Sequence, residues 1–322
     1  MDKDALIDHA AASLRCLPMP TNQPLPRITV IILTYNEERH LARAIASLKP
    51  LDPQIVVVDS HSTDRTVEIA QRLGANVLSN RWEQNYARQF NWALDHAQIN
   101  GDWVMRLDAD EYLTHGLVDE MLKMLPLQPT DVSGVYVRRR IHFLGKWIRW
   151  GGVYPMWVLR IWRSGHARCE ARWMDEHMQL LAGKSVRFQH DLIDENLNDL
   201  TWWTTKHNGY STREVVDLLN VRHDENKSSR RRIFAAQSTV RRWMKERIYI
   251  RLPLFVRAVA YFLMRYFLKL GFLDGRPGLV WHVLQGLWYR FLVDAKVYEA
   301  ERRAGANDMD VREYIEREWG LK

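Results

Sequence analysis

The sequence predicts an α/β fold, a doubly wound and mostly parallel sheet over residues 27–125. Three observations carry that prediction. Apolar runs recur (Ile28–Thr34, Ile55–Val58, Asn76–Leu78, Trp103–Leu107), segments of helical periodicity separate them, and the runs are near-continuous rather than alternating. Strands covered on both faces by crossover helices have this texture, whereas half-solvated strands alternate apolar and polar residues.

In chain order, residues 4–17 read as a short amphipathic helix, followed by a linker punctuated by Pro18, Pro20, Pro24 and Pro26, which sets 1–26 apart. Ile28–Thr34 is a β-branched strand. Asn36-Glu37-Glu38 carries the cap and acidic first turn of a helix whose Leu41, Ile45 and Leu48 share a face and which stops at Pro50. Ile55–Val58 is the second strand. Ser62–Asp64 caps a helix bearing Val67, Ile69, Ala70 and Leu73, closed by Gly74. A short strand, Asn76–Leu78, precedes a helix over Tyr86–His96, and Trp103–Leu107 completes the set. After Pro126 the pattern changes. Val135–Ile141, Trp157–Trp162 and Ser185–Gln189 read as antiparallel or mixed strands of a second half, 126–200, and 195–222 returns to helix. Residues 201–322 form a helical region that is basic and aromatic from Arg222 onward.

With 322 residues and 47% hydrophobic content, the chain has room for one large domain and an appendage. A formal charge of +7 favours an anionic partner: nucleotide phosphate, anionic lipid or nucleic acid. Cys16 and Cys169 are too few for a disulfide framework or a zinc site and fit a reducing compartment. Acids at Asp2 and Asp4 precede any apolar stretch, so no signal peptide is expected, and no uninterrupted apolar run reaches the ~20 residues of a span.

Ligands of open α/β sheets bind outside the carboxyl ends of the strands. The first strand ends in Thr34-Tyr35-Asn36-Glu37-Glu38, without GxGxxG or GxxxxGK[ST], which argues against a dinucleotide enzyme and a P-loop. The second ends in Asp59-Ser60-His61-Ser62-Thr63-Asp64 and the fourth in Asp108-Ala109-Asp110-Glu111. Residues at i and i+2 of an extended segment face the same way, so Asp108 and Asp110 can address one metal–diphosphate–ribose unit together. Hard cations such as Mg²⁺ or Mn²⁺ take one or two carboxylates plus substrate phosphates. Nucleic acid is not expected as a partner, because no recognition module is present and acidic strand ends repel phosphate.

Ile28–Glu38, Val57–Asp64 and Arg106–Glu111 together resemble the nucleotide-binding half of glycosyltransferase family 2, of the GT-A fold, and in particular bacterial enzymes that extend lipopolysaccharide core or exopolysaccharide. The resemblance implies roles. Thr34, Tyr35, Asn36 and Glu37 border the nucleotide sugar, with Tyr35 stacking on the base, and Asp59 accepts hydrogen bonds from it. Asp108 meets the ribose or a metal-bound water, and Asp110 holds the metal, Mn²⁺ or Mg²⁺. Ser60 and His61 stand where the family often has Asp-Gly or Asp-Asn. Arg88 and Asn91 match a helix beside the donor site, or simply occupy an exposed helix face. Asp175-Glu176-His177 matches the place where relatives carry the base that deprotonates the acceptor hydroxyl, with Asp175 and Glu176 both eligible. His190 matches a late histidine that completes the metal shell in some GT-A enzymes. Trp147, Trp150, Gly151 and Gly152 suit either a sugar-stacking acceptor loop or core packing. The implied activity is inverting, metal-dependent transfer from a nucleotide sugar, UDP-linked, to a hydroxyl of a lipid-linked saccharide. The alternatives are a polyprenyl-phosphate sugar synthase and a non-catalytic nucleotide-sugar-binding scaffold.

The tail bears on location. Arg230, Arg231, Arg232, Arg241, Arg242, Lys245, Arg247 and Arg251 form a basic block; Leu252–Leu273 is apolar but interrupted by Arg257, Arg265 and Lys269; and Pro277–Tyr298 offers Trp281, Leu284, Leu287, Trp288 and Phe291, relieved by Arg290 and Lys296. Charges at a bilayer centre cost about 2.5–3.5 kcal/mol each, which disfavours a span. The expectation is a helix pair lying in the interface with Lys and Arg reaching the headgroups of an anionic leaflet, on the cytoplasmic face of the membrane. The alternative is a helical subdomain packed on the catalytic core.

Overall fold

The computed structural model describes residues 25–83, 85–170, 177–224 and 252–320. The helix expected over 4–17, the basic block Arg230–Arg251 and the candidate bases Asp175 and Glu176 lie outside the described residues.

β1 (Ile28–Thr34), α1 (Leu41–Leu48), β2 (Gln54–Asp59), α2 (Thr66–Arg72), β3 (Asn76–Ser79), α3 (Tyr86–His96) and β4 (Trp103–Arg106) alternate as the apolar runs predict. β1 pairs in parallel with β2 on one side and β4 on the other, and β2 with β3. The sheet continues through β8 (Met156–Arg163), β6 (Val132–Phe143), β11 (Lys184–Glu195) and β5 (Glu111–Leu113). In this second half β8 runs antiparallel to β4 and β6, β11 is parallel to β6, and β5 is antiparallel to β11. The parallel half and the mixed half join at the β4–β8 pairing, and β5, which precedes Pro126, already belongs to the mixed half. Two-residue β7 (Lys146–Trp147) pairs with β6, and β9 (Ala167–Cys169) with β10 (Met178–Leu180) forms a separate hairpin.

Successive side chains of a strand point to opposite faces, which explains why the runs are apolar throughout. Val30 and Ile32 of β1 join Leu41, Ile45 and Leu48 of α1, Ile69 of α2 and Leu117 of α4 (His115–Met124) on one face. Ile31, Val56, Val58 and Val104 meet Ala87, Phe90 and Ala93 of α3 on the other. The sheet is therefore doubly wound, and each fully buried Val, Ile or Leu contributes about 1.5–3 kcal/mol.

One local expectation is corrected. Helix α1 begins at Leu41, and Asn36 is not its cap. Asn36 sits in the left-handed region at φ 56°, a conformation Asn tolerates, and its side-chain oxygen accepts from the Thr63 amide at 2.8 Å. Gly74 (φ 81°) follows α2 as expected.

The C-terminal region contains α5 (Leu200–Asp224), α6 (Val256–Leu263), a π turn (Met264–Leu268), α7 (Gly275–Trp281), α8 (Tyr289–Ala306) and α9 (Val311–Trp319). Among the described residues no helix is long and apolar enough to cross a membrane. The expectation that its cations reach outward is overturned for most of them. Arg257 is 1% exposed and paired with Asp294; Arg265 is 9% exposed and donates to the Gly151 carbonyl at 2.9 Å. Arg290 pairs with Glu214, and Lys296 donates to Asn208. Charges leave water only when paired, and here each finds its partner within the protein. Trp281, Leu284 and Trp288 likewise face inward, against a core of Phe143, Ile148 and Trp203 that joins the helices to the second half of the sheet. Arg265, together with Asp274, also grips the loop before β8: the Asp274 carboxylate accepts from the Arg149 and Trp150 amides at 3.1 and 2.8 Å.

Candidate active site

β1 carries its helix to one face of the sheet and β3 sends α3 to the other, so the carboxyl ends of β1 and β4 flank the topological switch point. Below that point lies a cavity of about 2380 Å³, lined among others by Leu33, Glu37, Tyr86, Asp108, Asp110 and Lys206.

The loops after β1 and β2 are laced together. Thr34 Oγ1 donates to Asp59 Oδ1 at 2.9 Å, and Asp59 also accepts from the Ser62 amide and hydroxyl at 2.8 and 2.6 Å. The amides of Asn36 and Glu37 donate to Ser62 Oγ and Thr66 Oγ1 at 2.8 and 2.7 Å. Ser62 therefore serves Asp59, where the sequence suggested a helix cap. His40 is fully buried; its Nε2 accepts from the Leu197 amide at 2.8 Å, which leaves the Nδ1–H to donate to Glu37 Oε2 at 2.6 Å. The β1 loop is thereby tied to the segment after β11. Tyr35 projects from this frame with 59% of its surface open, free to meet a planar ligand.

At the end of β4, Asp108 accepts from the Tyr86 hydroxyl at 2.6 Å, from Arg106 Nε at 3.1 Å and from Arg160 at 3.0 Å. Burial opposes its ionised form, but Arg106 and Arg160 outweigh that penalty and hold it well below the usual carboxylate range. Arg160 also bonds Glu111, whose other oxygen accepts from the Asp108 amide at 3.0 Å. Burial pushes Glu111 up to about 7 against the pull of Arg160. Ala109 points into the core at 5% exposure, which sets Asp108 and Asp110 on the open side of the segment.

Asp110 accepts from Asn196 Nδ2 at 3.0 Å, and its carbonyl accepts from the Glu195 amide at 3.1 Å. Arg43 reaches the same place, bonding Glu195 Oε2 at 2.6 Å. Asp194 lies 3.6 Å from Arg139; burial, with Asp110 and Asp108 nearby, raises it to about 6. Lys206 approaches from α5. Burial works against its charge, but Tyr210, Asp110 and Glu37 outweigh it and hold the ammonium above the ordinary lysine range. The floor of the cavity thus alternates acids and cations, an arrangement suited to a phosphorylated ligand held with a divalent ion.

The residues present fit such an ion. Among the described residues no three His, Cys, Asp or Glu side chains converge into a metal cage. Asp110 and Asp108 offer hard carboxylate oxygens, and sites of this kind use one or two carboxylates completed by substrate phosphates.

Of the other expected residues, three stand apart. Arg88 is exposed and lies 3.5 Å from Glu83. Asn91 faces the β9–β10 hairpin: its side-chain oxygen accepts from the Cys169 amide at 2.9 Å and its Nδ2 donates to the Cys169 carbonyl at 3.0 Å. It therefore holds a structural position, tying α3 to the start of the hairpin. His190 does not line the cavity; its Nδ1 lies 2.8 Å from Glu120 Oε2 on α4, and its ring packs where a Cβ on Gly116 would stand. Its place as a metal ligand is not supported by this geometry, because Glu120 engages the ring outside the cavity that Asp108 and Asp110 line. Trp147 lies under the Arg140 guanidinium and meets Tyr154 edge to face, and Trp150 is 38% exposed. Arg160, Asn196 and Lys206 were not anticipated; each is an ordinary polar residue in its own segment, and only the fold brings them to Asp108 and Asp110.

The sequence model of the family described as glycosyl transferase family 2 matches residues 29–181, a stretch that includes Tyr35, Asp59, Asp108 and Asp110. An uncharacterized glycosyltransferase of Rickettsia typhi is 42% identical over 97 residues, 30% of this chain and 32% of that protein. One from Rickettsia conorii is 44% identical over 95 residues, 30% of this chain and 33% of that protein. The chain spans about a third of the length of these curated relatives. Among solved structures, glucosyl-3-phosphoglycerate synthase from Mycobacterium tuberculosis, in complex with Mn²⁺, uridine diphosphate and glucosyl-3-phosphoglycerate, is 26% identical, covering 36% of this chain and 44% of that chain at a TM-score of 0.29.

Proposed function

We propose that the chain is an inverting glycosyltransferase that moves a sugar from a nucleotide-sugar donor, UDP-linked, to a hydroxyl of a lipid-linked saccharide, in the synthesis of cell-envelope polysaccharide or lipopolysaccharide. The observation that carries the reading is the pair Asp108 and Asp110 at the switch point, within a stretch that matches the family. In this reading Tyr35 stacks on the base beside Thr34 and Asp59. Asp108, kept ionised by Arg106 and Arg160, accepts from the ribose hydroxyls or a metal-bound water. Asp110 and Asp108 would hold Mn²⁺ or Mg²⁺, which supplies neutralisation of the diphosphate as it leaves. Lys206 adds a fixed cation to the same leaving group, preorganised by its acidic neighbours. Asp175 or Glu176 takes the proton from the acceptor hydroxyl as it attacks the anomeric carbon, and a single displacement inverts that centre. The place of work is the cytoplasmic face of the membrane, where the lipid-linked acceptor is held.

The test is transfer from a panel of nucleotide sugars to lipid extracts of a cell envelope, with Mn²⁺, Mg²⁺ or EDTA. Metal-dependent labelling of a lipid-linked saccharide with inverted anomeric configuration supports the reading. A product of retained configuration contradicts the single displacement.

A further inference from the structure

Helix α6 and the π turn after it are built inside out. Arg257, Tyr261 and Arg265, spaced by four residues, form the inward face: Arg257 meets Asp294, Arg265 meets the Gly151 carbonyl, and Tyr261 and Arg265 line the cavity. The outward face is apolar. Val256, Val259, Leu263 and Phe267 recur at helical spacing with 57, 45, 46 and 52% of their surfaces open, and Leu268 is 80% open. A helix bounded by water places its apolar stripe toward the protein and its charges outside. Left in water, this reversed face would be unfavourable. Phe272, 43% exposed, extends the same patch into the following turn.

The charge pattern selects the partner. From Leu252 to Leu273 the sequence has no Asp or Glu, and the exposed cations Lys269 and Arg276 lie close to Leu268 and Phe272 in sequence. In sequence, the stretch from Lys227 to Arg251 contains nine Lys and Arg against a single acid, Glu246. Apolar side chains that protrude as far as Leu268 can enter the acyl boundary of a bilayer without a complementary groove, and neighbouring cations then meet anionic headgroups. We infer that the Val256–Leu268 face docks on an anionic lipid bilayer and seats the protein with its cavity at the membrane surface. This rests on the proposed lipid-linked acceptor for its purpose, since the helix that would touch lipid on one side walls the cavity on the other. The membrane contact is made by the apolar face itself, while Arg257 and Arg265 fix that face outward from within.

The experiment is co-sedimentation of the full chain with vesicles of phosphatidylcholine alone or mixed with phosphatidylglycerol. It compares wild type with Phe267→Glu/Leu268→Glu, and measures UDP binding and solution mass on the same samples. Both substituted residues are exposed, so the fold should be retained. Expected are binding of wild type to the anionic vesicles and a loss of about tenfold or more in the variant, with UDP affinity unchanged. Equal binding of variant and wild type would assign attachment to the basic stretch and overturn the inference. So would no vesicle binding by wild type, or a wild-type dimer that the variant abolishes. Failure of UDP to bind, with vesicle binding intact, would instead count against the proposed transferase and leave the docking face standing.

Discussion

Arg160, on β8, bridges Asp108 and Glu111: its terminal nitrogen lies 3.0 Å from Asp108 Oδ2 and bonds Glu111 Oε1 as well. The strand that carries Arg160 runs antiparallel to β4, so the guanidinium reaches the end of the neighbouring strand from the second half of the sheet. The carboxylates at the end of β4 therefore depend on the second half of the sheet for their electrostatics.

Replacing Arg160 with Met removes one of the cationic partners of Asp108 and the short-range cationic partner of the buried Glu111. Breaking a buried pair on one side costs about 3–5 kcal/mol, and thermal unfolding should show a large loss of stability. A change within experimental error would mean that the bridge is not needed to hold Asp108.

Asp194 makes a pH signature. Its carboxyl is raised from 3.8 to about 6 by burial and by Asp110 and Asp108, so the folded protein binds its proton more tightly than the unfolded chain. The stability it lends is present below about 4 and is lost as pH rises through about 6. In EDTA, Asp194→Asn should therefore flatten the fall in melting temperature across that window. An unchanged slope would assign the titration elsewhere.

Lys206→Met should weaken UDP binding by about ten- to hundredfold, the worth of one charge-assisted contact, while leaving the fold intact. Calorimetry in Mn²⁺ reads this directly. Unchanged affinity would place the lysine outside the diphosphate's reach.

Asp175→Asn and Glu176→Gln separate the acceptor classes. For a hydroxyl acceptor, one of them should lower the transfer rate by about 10²–10⁴ with donor affinity unchanged. Unchanged rates in both would favour a phosphate acceptor, which is already ionised and needs no base, and thus the polyprenyl-phosphate synthase.

Asn91→Ala should loosen the attachment of the β9–β10 hairpin to α3. It loses both bonds to Cys169, about 0.5–1.5 kcal/mol each, and should reduce transfer without weakening UDP binding. A loss of UDP affinity would return Asn91 to the border of the donor site.

The parallel half was legible because each of its strands is apolar on both faces and each helix is amphipathic, so local pattern and global position agree. The strand ends were legible for the same reason: the polar residues after β1, β2 and β4 interrupt apolar runs where a doubly wound sheet opens to ligands. Arg160, Asn196 and Lys206 were hidden because their meaning is tertiary, coming from β8, the segment after β11 and α5. His190 shows the reverse error, in which a plausible ligand type lies on the side of β11 that faces Glu120. The tail misled in a third way. Periodicity reveals that α6 has two faces, but not that Arg257 and Arg265 point inward, because their partners Asp294 and Gly151 are remote in sequence.

The most direct test of the central claim is calorimetry of nucleotide-sugar binding to wild type and Asp110→Asn, with Mn²⁺, with Mg²⁺ and with EDTA. The account predicts that one donor binds wild type in the presence of metal, and that EDTA or the substitution abolishes this binding. Donor binding that is indifferent to both metal and Asp110, or absent with every donor tried, would contradict it.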